Sequence, residues 1–362
     1  MNKQAQYIFP AYATEINNIK MPILRCKMPF CSSGKRHVMN TSTFPIDAVY
    51  AWHDGNDPAR VEKYHRACRD AAESPSKESI SPARFVDNNE LLFSLRSLEK
   101  FAPWINRVYI IVDQQRPKWI NPEAVHFVEL ADILPATAAY PVFNSNLIEL
   151  CMHRIEELSE CFISLNDDFM IGNTIHPSDF FSSDSRPRIW YSKSGKTERL
   201  VKENMPDRKA AEIFSRTILY ERYGAYYPHR IKHYPRAYTR KSMYSMWDDF
   251  PEDVERSLQA TFRNNTNLTT YIFYPIYALA TGQGVARQIN GMPQFWDFLK
   301  GRVCHIGASL GDSNYRKKMQ MIKILKPLTF CLNDSDSATD NDRKKLVKTL
   351  EEFYPKKSHF EK

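Results

Sequence analysis

The most constraining feature of this sequence is a series of short apolar runs that alternate with segments of helical spacing. Val108–Val112 contains only aliphatic and aromatic side chains, the pattern of a strand buried on both faces of a sheet. Similar runs predict strands at Ile46–Trp52, Val125–Leu130 and Cys161–Leu165. Because helical patterns separate these runs, the first half of the chain predicts an α/β fold built on a parallel sheet.

The second half has a different pattern. Beyond about Ser182, helices are predicted at Lys209–Arg222, Asp253–Ala260 and Thr269–Ala280. A last strand is predicted at Leu328–Leu332, and a charged helix at about Asn341–Phe353 follows it. We therefore expect a Rossmann-like sheet flanked by helices, in one domain of residues 44–362 with a mainly helical insertion at about 205–300. Residues 1–43 form an N-terminal extension to which the sequence assigns no role.

Composition and charge exclude some classes of protein. No stretch approaches the roughly 18 consecutive apolar residues of a membrane-spanning helix. The seven cysteines are odd in number and scattered, which favours a reducing cytosol over a disulfide framework. The net charge of +8 suits nucleic acid, an anionic membrane surface or a phosphorylated substrate, and its spread along the chain favours none of them.

Acidic and amide side chains follow three of the predicted strands. Ligands bind at the carboxyl ends of the strands in open α/β sheets, so we expect the three clusters to share one site. Carboxylate oxygens suit a hard divalent cation that bridges diphosphate oxygens. A turn or a helix cap is the alternative for each cluster taken singly. The clusters are His53-Asp54-Gly55-Asn56-Asp57, Asn166-Asp167-Asp168 and Asn333-Asp334.

Basic and aromatic residues in the second half supply the opposite charge. His229 and Arg230 precede His233-Tyr234-Pro235-Arg236, and Arg263 follows Phe262. Arginine forks match phosphate oxygens, and a histidine can move a proton near neutral pH. Two alternatives remain open at this point: RNA binding, with bases stacked on the tyrosines, and a solvated loop.

Four ordered motifs resemble the Stealth family of hexose-1-phosphate transferases. This family includes bacterial capsule polymerases and the catalytic subunit of N-acetylglucosamine-1-phosphotransferase. Gln114 departs from the family pattern, which usually has glycine at this position. The motifs are DAVYAWHDGNDP (Asp47–Pro58), a second region in three pieces (Arg84–Asn121, Pro141–Glu149 and Met152–Phe169), a third that includes KHYPRAY (Lys232–Asn264), and KPLTFCLNDSDS (Lys326–Ser337).

The resemblance implies an enzyme of capsular or exopolysaccharide synthesis. Such an enzyme moves a sugar-1-phosphate from a nucleotide sugar, commonly a UDP-N-acetylhexosamine, to an acceptor sugar hydroxyl. A phosphodiester forms and a nucleoside monophosphate leaves. The alternative is a metal-dependent glycosyltransferase, which would release a nucleoside diphosphate instead. The implied cofactor is Mg²⁺ or Mn²⁺.

The matching motifs also imply a role for individual residues. Asp167, Asp168 and Asp334 are the implied metal ligands. His233 is the implied general base, with a carboxylate such as Asp168 as the alternative, and Arg263 would stabilise the phosphoryl charge. Arg84 and Arg96 are second candidates for that role, unless they pair with Asp87 or Glu90. The implied substrate-binding residues are Asp54, Gly55, Asp57, Arg84, Arg96, Asn144, Asn146, Asn166 and Asn333.

The resemblance also implies partners and a location. The partners would be a nucleotide sugar donor and a polysaccharide or lipid-linked acceptor, with no nucleic acid among them. The location would be the cytoplasm, at the periphery of the inner membrane beside the capsule export machinery.

Overall fold

The computed structural model describes residues 43–362 apart from residue 56 and the segments 72–85, 193–196, 198–200, 203–204, 225–226, 228, 232 and 290–303. Most of the N-terminal extension and the predicted substrate residue Arg84 therefore lie outside the described residues. The strands are β1 Ile46–Ala51, β2 Val108–Val112, β3 His126–Glu129, β4 Cys161–Asn166, β5 Phe169–Ile171, β6 Arg188–Ser192, β7 Arg230–Ile231, β8 Arg236–Thr239, β9 Val285–Gln288, β10 His305–Ser309 and β11 Thr329–Asn333. The helices are α1 Pro58–Asp70, α2 Glu90–Phe101, α3 Leu130–Ile133, α4 Ser145–Cys151, α5 Pro177–Phe180, α6 Asp207–Tyr223, α7 Arg240–Asp249, α8 Pro251–Leu258, α9 Thr270–Ala280, α10 Tyr315–Leu325 and α11 Asp340–Phe353.

The central sheet confirms the α/β prediction. Its strand order is β3-β2-β1-β4-β8, in which the first four strands are parallel and β8 is antiparallel to β4. Strands β1 and β4 carry almost completely buried side chains, as apolar runs in a parallel sheet should. The register pairs Ala51 at the end of β1 with Asn166 at the end of β4. The loops that follow these strands therefore start at the same edge of the sheet.

A second, three-stranded sheet lies against this edge, in the order β10-β11-β5. The chain leaves the central sheet after Asn166, turns at Asp167-Asp168 and enters β5, which pairs antiparallel with β11. This register places Cys331 opposite Phe169. The two-residue acidic turn thus connects two sheets, and its position depends on both of them.

Helix α2 fixes β5 through small polar side chains. The Ser94 hydroxyl donates to the Phe169 carbonyl, and the Ser97 hydroxyl accepts from the backbone N–H of Ile171 at 2.9 Å. Ser94 also hydrogen-bonds the buried Tyr50 hydroxyl of β1 at 3.0 Å. These contacts satisfy backbone groups that would otherwise be buried without partners, so they hold β5 in place directly after the acidic turn.

The region predicted as a helical insertion contains helices α6 to α9, but it also contributes strands to two sheets. Strand β8 completes the central sheet, and β7 and β9 pair with β6 in a third sheet. Helices α6 and α9 pack on each other within the largest apolar cluster, which also includes Phe162 of β4. Among the described residues, no helix is both long and apolar enough to cross a membrane.

Two differences from the sequence prediction lie close to the strands described above. The helix expected at about Ser145–Leu158 ends at Cys151, and a 3₁₀ turn at Met152–Arg154 follows before Ile155 becomes extended. Strand β8 was not predicted, because the charged residue Arg236 interrupts its apolar pattern. In the structure this arginine is buried, and an ion pair balances its charge.

Candidate active site

A cavity of about 1700 Å³ lies at the carboxyl ends of β1, β4 and β11. The last residues of these strands, Ala51, Asn166 and Asn333, all line it. Residues from α1, α4, α6 and α10 form its remaining walls. The structure therefore brings the three strand-end clusters together, as expected for an open α/β sheet.

Asp168 is the central carboxylate of this cavity. Its Oδ2 accepts a hydrogen bond from the Cys331 thiol at 3.1 Å, while its Oδ1 is buried and has no hydrogen-bond partner among the described residues. Buried polar atoms normally have partners, so an unpaired carboxylate oxygen in a polar cavity indicates a place for a ligand. One ligand atom each from Asp168, His233 and Cys331 lies within 4.8 Å of the others.

Three neighbouring carboxyl groups have raised pKa values, chiefly because they are shielded from water. Burial raises the pKa of Asp167 above its usual range, and repulsion from Asp168 and Asp87 adds to the shift. Burial likewise raises the pKa values of Asp168 and of Glu90, the latter also through repulsion from Asp167. A bound divalent cation would supply the missing positive charge, and carboxylate oxygens are suitable ligands for it. The residues present therefore fit the metal that the sequence predicts.

Asp334 also lines the cavity but differs from the other two predicted metal ligands. Arg343 of α11 donates to both of its carboxylate oxygens, at 2.8 and 3.2 Å, and the Asn88 amide donates to Oδ2 at 3.2 Å. No ion pair within 4.0 Å involves Asp167 or Asp168 in the described part of the chain. Asp334 thus has a partner of opposite charge that the sequence prediction did not include.

A buried ion pair forms another part of the cavity wall. Arg236 of β8 donates to Oε1 of Glu149 on α4, with N···O distances of 2.7 Å from Nη2 and 2.8 Å from Nε. The Tyr238 hydroxyl donates to the same oxygen at 2.8 Å. Both charged residues line the cavity, yet they are already paired with each other, so this wall is rigid and nearly neutral.

His233 and Arg263 line the cavity as predicted. Solvent reaches His233 through the cavity, and its ring lies 4.8 Å from that of Phe169. The protein atoms packed around it and the nearby charges of Arg236 lower the pKa of His233 well below its usual range, so its imidazole is neutral at pH 7. Arg263 donates through Nη2 to the Ser145 hydroxyl at the start of α4.

Four of the predicted substrate residues line the cavity: Gly55, Asn146, Asn166 and Asn333. Asp54 and Asp57 do not, and Gln115 joins them by accepting from the Asp54 N–H at 2.9 Å and donating to Asp57. Asp57 also caps α1 through the Ala59 N–H, which was the alternative interpretation of this residue.

The structure does not bring Asn144 or Arg96 to the cavity wall. Asn144 is fully buried, caps α4 and donates to the Asn267 side chain at 2.9 Å. Arg96 forms a two-point ion pair with Glu361, at 2.8 and 2.7 Å, instead of pairing with Asp87 or Glu90. Arg96 therefore joins α2 to the C-terminus, and this geometry gives no support for its predicted substrate role.

The cavity contains residues that the sequence did not single out. Cys331 could have been found from alternation, because it lies two residues before Asn333 on β11 and so faces the same side. Glu149 gave no local signal, since its partner Arg236 lies 87 positions away. The other charged lining residues to which the prediction assigned no role in the site are Arg60, Asp87, Glu90, Arg208, Lys209, Glu212, Arg216, Lys317, Lys318 and Asp336.

Comparison with known proteins identifies the family. Residues 84–189 match the family model described as Stealth protein CR2, conserved region 2. An exopolysaccharide phosphotransferase of Streptomyces coelicolor, SCO6021, is 33% identical over 314 residues, which is 86% of this chain and 55% of that protein. The chain belongs to the Stealth family.

Other relatives of this Stealth chain are also named polysaccharide phosphotransferases. The capsular polysaccharide phosphotransferase LcbA of Aeromonas hydrophila is 27% identical, with 93% of this chain and 94% of that protein covered. The chain spans about half the length of SCO6021 and of SCO6023 (53%), a second Streptomyces coelicolor exopolysaccharide phosphotransferase that is 32% identical over 88% of this chain. Among solved structures, the galactosyltransferase LgtC in complex with donor and acceptor sugar analogs matches with a TM-score of 0.38 and 9% identity, covering 85% of this chain and 95% of that one. A likeness at that level carries no conclusion.

Proposed function

We propose that this Stealth chain is a sugar-phosphate transferase of capsular or exopolysaccharide synthesis. It would move a hexose-1-phosphate from a nucleotide sugar, with a UDP-N-acetylhexosamine as the first candidate, to a hydroxyl of an acceptor sugar. The observation that carries this proposal is the composition of the cavity at the strand ends. There the half-buried Asp167-Asp168 pair lies in one cavity with His233 and Arg263, and the proteins that resemble the chain are named phosphotransferases.

The charge distribution suits a nucleoside diphosphate sugar. Arg263 lies at the start of α4, where it donates to the Ser145 hydroxyl, and its guanidinium can also donate to phosphate oxygens in the planar geometry that they favour. Asn166 and Asn333 extend from neighbouring strand ends, and their amides can donate to and accept from sugar hydroxyls. A divalent cation bound by Asp167 and Asp168 would neutralise part of the diphosphate charge.

The transfer step needs a group that accepts a proton. The acceptor oxygen would attack the phosphorus that bears the sugar, and the bond to the nucleoside monophosphate would break. His233 is the candidate base, because its neutral ring can take the proton that the acceptor hydroxyl loses. Arg263 would stabilise the negative charge that develops on the leaving phosphate.

The nucleotide that the reaction releases tests this proposal. The purified protein is incubated with UDP-N-acetylglucosamine, magnesium and a short phosphodiester-linked oligosaccharide primer, and the released nucleotide is identified. If no product forms, other nucleotide sugars and primers follow. UMP together with a phosphorus-containing product is the expected result. UDP together with a phosphate-free linkage would contradict the proposal and indicate a glycosyltransferase.

A pair of variants separates the site from general effects on the enzyme. Asp167→Asn removes one carboxylate of the Asp167-Asp168 pair and should abolish UMP release. Asp312→Asn makes the same chemical change at an exposed position outside the cavity and should leave the rate unchanged. Equal loss in both variants would show that the acidic turn has no special role.

A further inference from the structure

We propose that Asp168, His233 and Cys331 form a site for a thiophilic divalent cation such as zinc, and that zinc bound there inhibits the enzyme. The argument for zinc binding depends only on the positions of these three side chains. The inhibitory part rests on the proposed function, in which His233 accepts a proton. This site differs from the predicted all-carboxylate site for Mg²⁺ or Mn²⁺, because it includes a thiol and an imidazole.

The three side chains are already close enough to share one ion. Their ligand atoms lie within 4.8 Å of one another, and the Cys331 sulfur is 3.1 Å from Oδ2 of Asp168. Ligand atoms around a tetrahedral zinc ion are roughly 3.5 Å apart, given bond lengths of about 2.0–2.3 Å. Small side-chain movements therefore suffice, and the backbone of β5 and β11 can stay in place.

The kinds of donor atom decide which ion is preferred. Magnesium requires oxygen ligands and is reluctant to lose its water, whereas zinc binds sulfur, nitrogen and oxygen well. Oδ1 of Asp168 is buried without a hydrogen-bond partner among the described residues, so the carboxylate has unused capacity. The Asn333 amide oxygen lies 3.5 Å from the Cys331 sulfur and can serve as a further ligand, as can water from the cavity.

The ion has an open route to this site, because all three residues line the cavity and His233 is exposed to it. Binding forms a zinc–sulfur bond and breaks the S–H bond, and the proton passes to solvent. A nitrogen of His233 that is bound to zinc has no lone pair left for the acceptor proton. Zinc would therefore suppress transfer by occupying the base.

Cobalt provides a direct test of binding, since Co²⁺ takes the same ligands as zinc and a thiolate ligand gives a near-ultraviolet charge-transfer band. The reduced full-length protein is titrated with Co²⁺ and then with Zn²⁺ or Mg²⁺. We expect one equivalent of cobalt to produce the band, zinc to remove it and excess magnesium to leave it unchanged. Because no nucleotide sugar is present, this result does not depend on the proposed function.

Cysteine variants locate the site. Cys331→Ser should lose the band and weaken zinc binding by at least about 100-fold, and His233→Gln should weaken it as well. Cys68→Ser is the matched control on α1, outside the cavity, and should keep the band. A Cys26→Ser/Cys31→Ser variant should also keep it, which excludes these two cysteines as the source. Thermal melting of each variant verifies that it is folded.

Two results would overturn the proposal. One is a wild-type protein without a cobalt band, and the other is a band that persists in both Cys331→Ser and His233→Gln. The inhibitory part is tested separately with the UMP assay, in which zinc should lower the wild-type rate at concentrations that fill the cobalt site. A filled site with an unchanged rate would retain the binding site and reject the inhibition.

Discussion

Replacing Arg236 with methionine should destabilise the fold strongly, because this change leaves a buried carboxylate without its charge partner. The side chains of Arg236 and Glu149 are only 4% and 8% exposed, and two N···O contacts of 2.7 and 2.8 Å connect them. Removing one partner of a buried ion pair typically costs about 3–5 kcal/mol. The hydroxyls of Tyr238 and Ser164 still donate to Glu149, at 2.8 and 3.3 Å, so we expect about 3 kcal/mol.

A double variant of Glu149 and Arg236 shows whether the losses of stability of the two single variants are coupled. Glu149→Gln alone leaves the guanidinium buried and should also cost about 3 kcal/mol. The combination of Glu149→Gln with Arg236→Met removes both charges, and it should lose less than the sum of the two by about 2–3 kcal/mol. Urea unfolding followed by tryptophan fluorescence measures each free energy of unfolding.

An exposed ion pair in the same protein provides the control. Arg107 contacts Glu157 at 3.3 Å, with side chains 43% and 70% exposed, so Arg107→Met should leave the free energy of unfolding almost unchanged. A loss below about 1 kcal/mol for Arg236→Met, or additive costs in the double variant, would refute the reasoning. Either outcome would mean that Arg236 is solvated through the cavity and free to meet a substrate.

Three further predictions follow from other parts of the structure. Asp167→Asn should raise stability in the presence of a chelator while abolishing transfer, because burial and nearby carboxylates already raise the pKa of this carboxyl group; a melting curve that falls instead would contradict this. His153→Phe should remove an acid sensitivity, because burial lowers the pKa of His153 to about 3 while its pKa in the unfolded chain is near 6.5. Between pH 7 and pH 5 only the unfolded chain takes up a proton at this residue. Urea unfolding should therefore show that the wild type loses about 2 kcal/mol of stability relative to the variant. Gln114→Gly should stabilise by about 0.5 kcal/mol because φ is +61° at this residue, whereas Gln114→Ala, which keeps a Cβ, should bring no gain in the urea midpoint.

The sequence by itself determined the central sheet and the edge at which the site lies. Apolar runs such as Val108–Val112 can be buried only as strands covered on both faces, and the helical patterns between them require parallel pairing. Parallel strands end at one edge, so the acidic groups after β1 and β4 had to lie near each other. Gln114 was also singled out by the family resemblance, which implies glycine there, and its backbone has a positive φ in the structure.

Only the tertiary structure decided which of these residues face one another and which have other partners. Cys331 meets Asp168 because the chain leaves the central sheet after β4 and continues into β5, which pairs antiparallel with β11. Arg96 binds Glu361, 265 positions away, and Arg343 holds Asp334 through the packing of α11. Local spacing fixes hydrogen bonds and apolar faces within a few residues. Contacts between distant segments depend instead on how sheets and helices pack, and for that reason the sequence motifs located the cavity but did not assign its charges to partners.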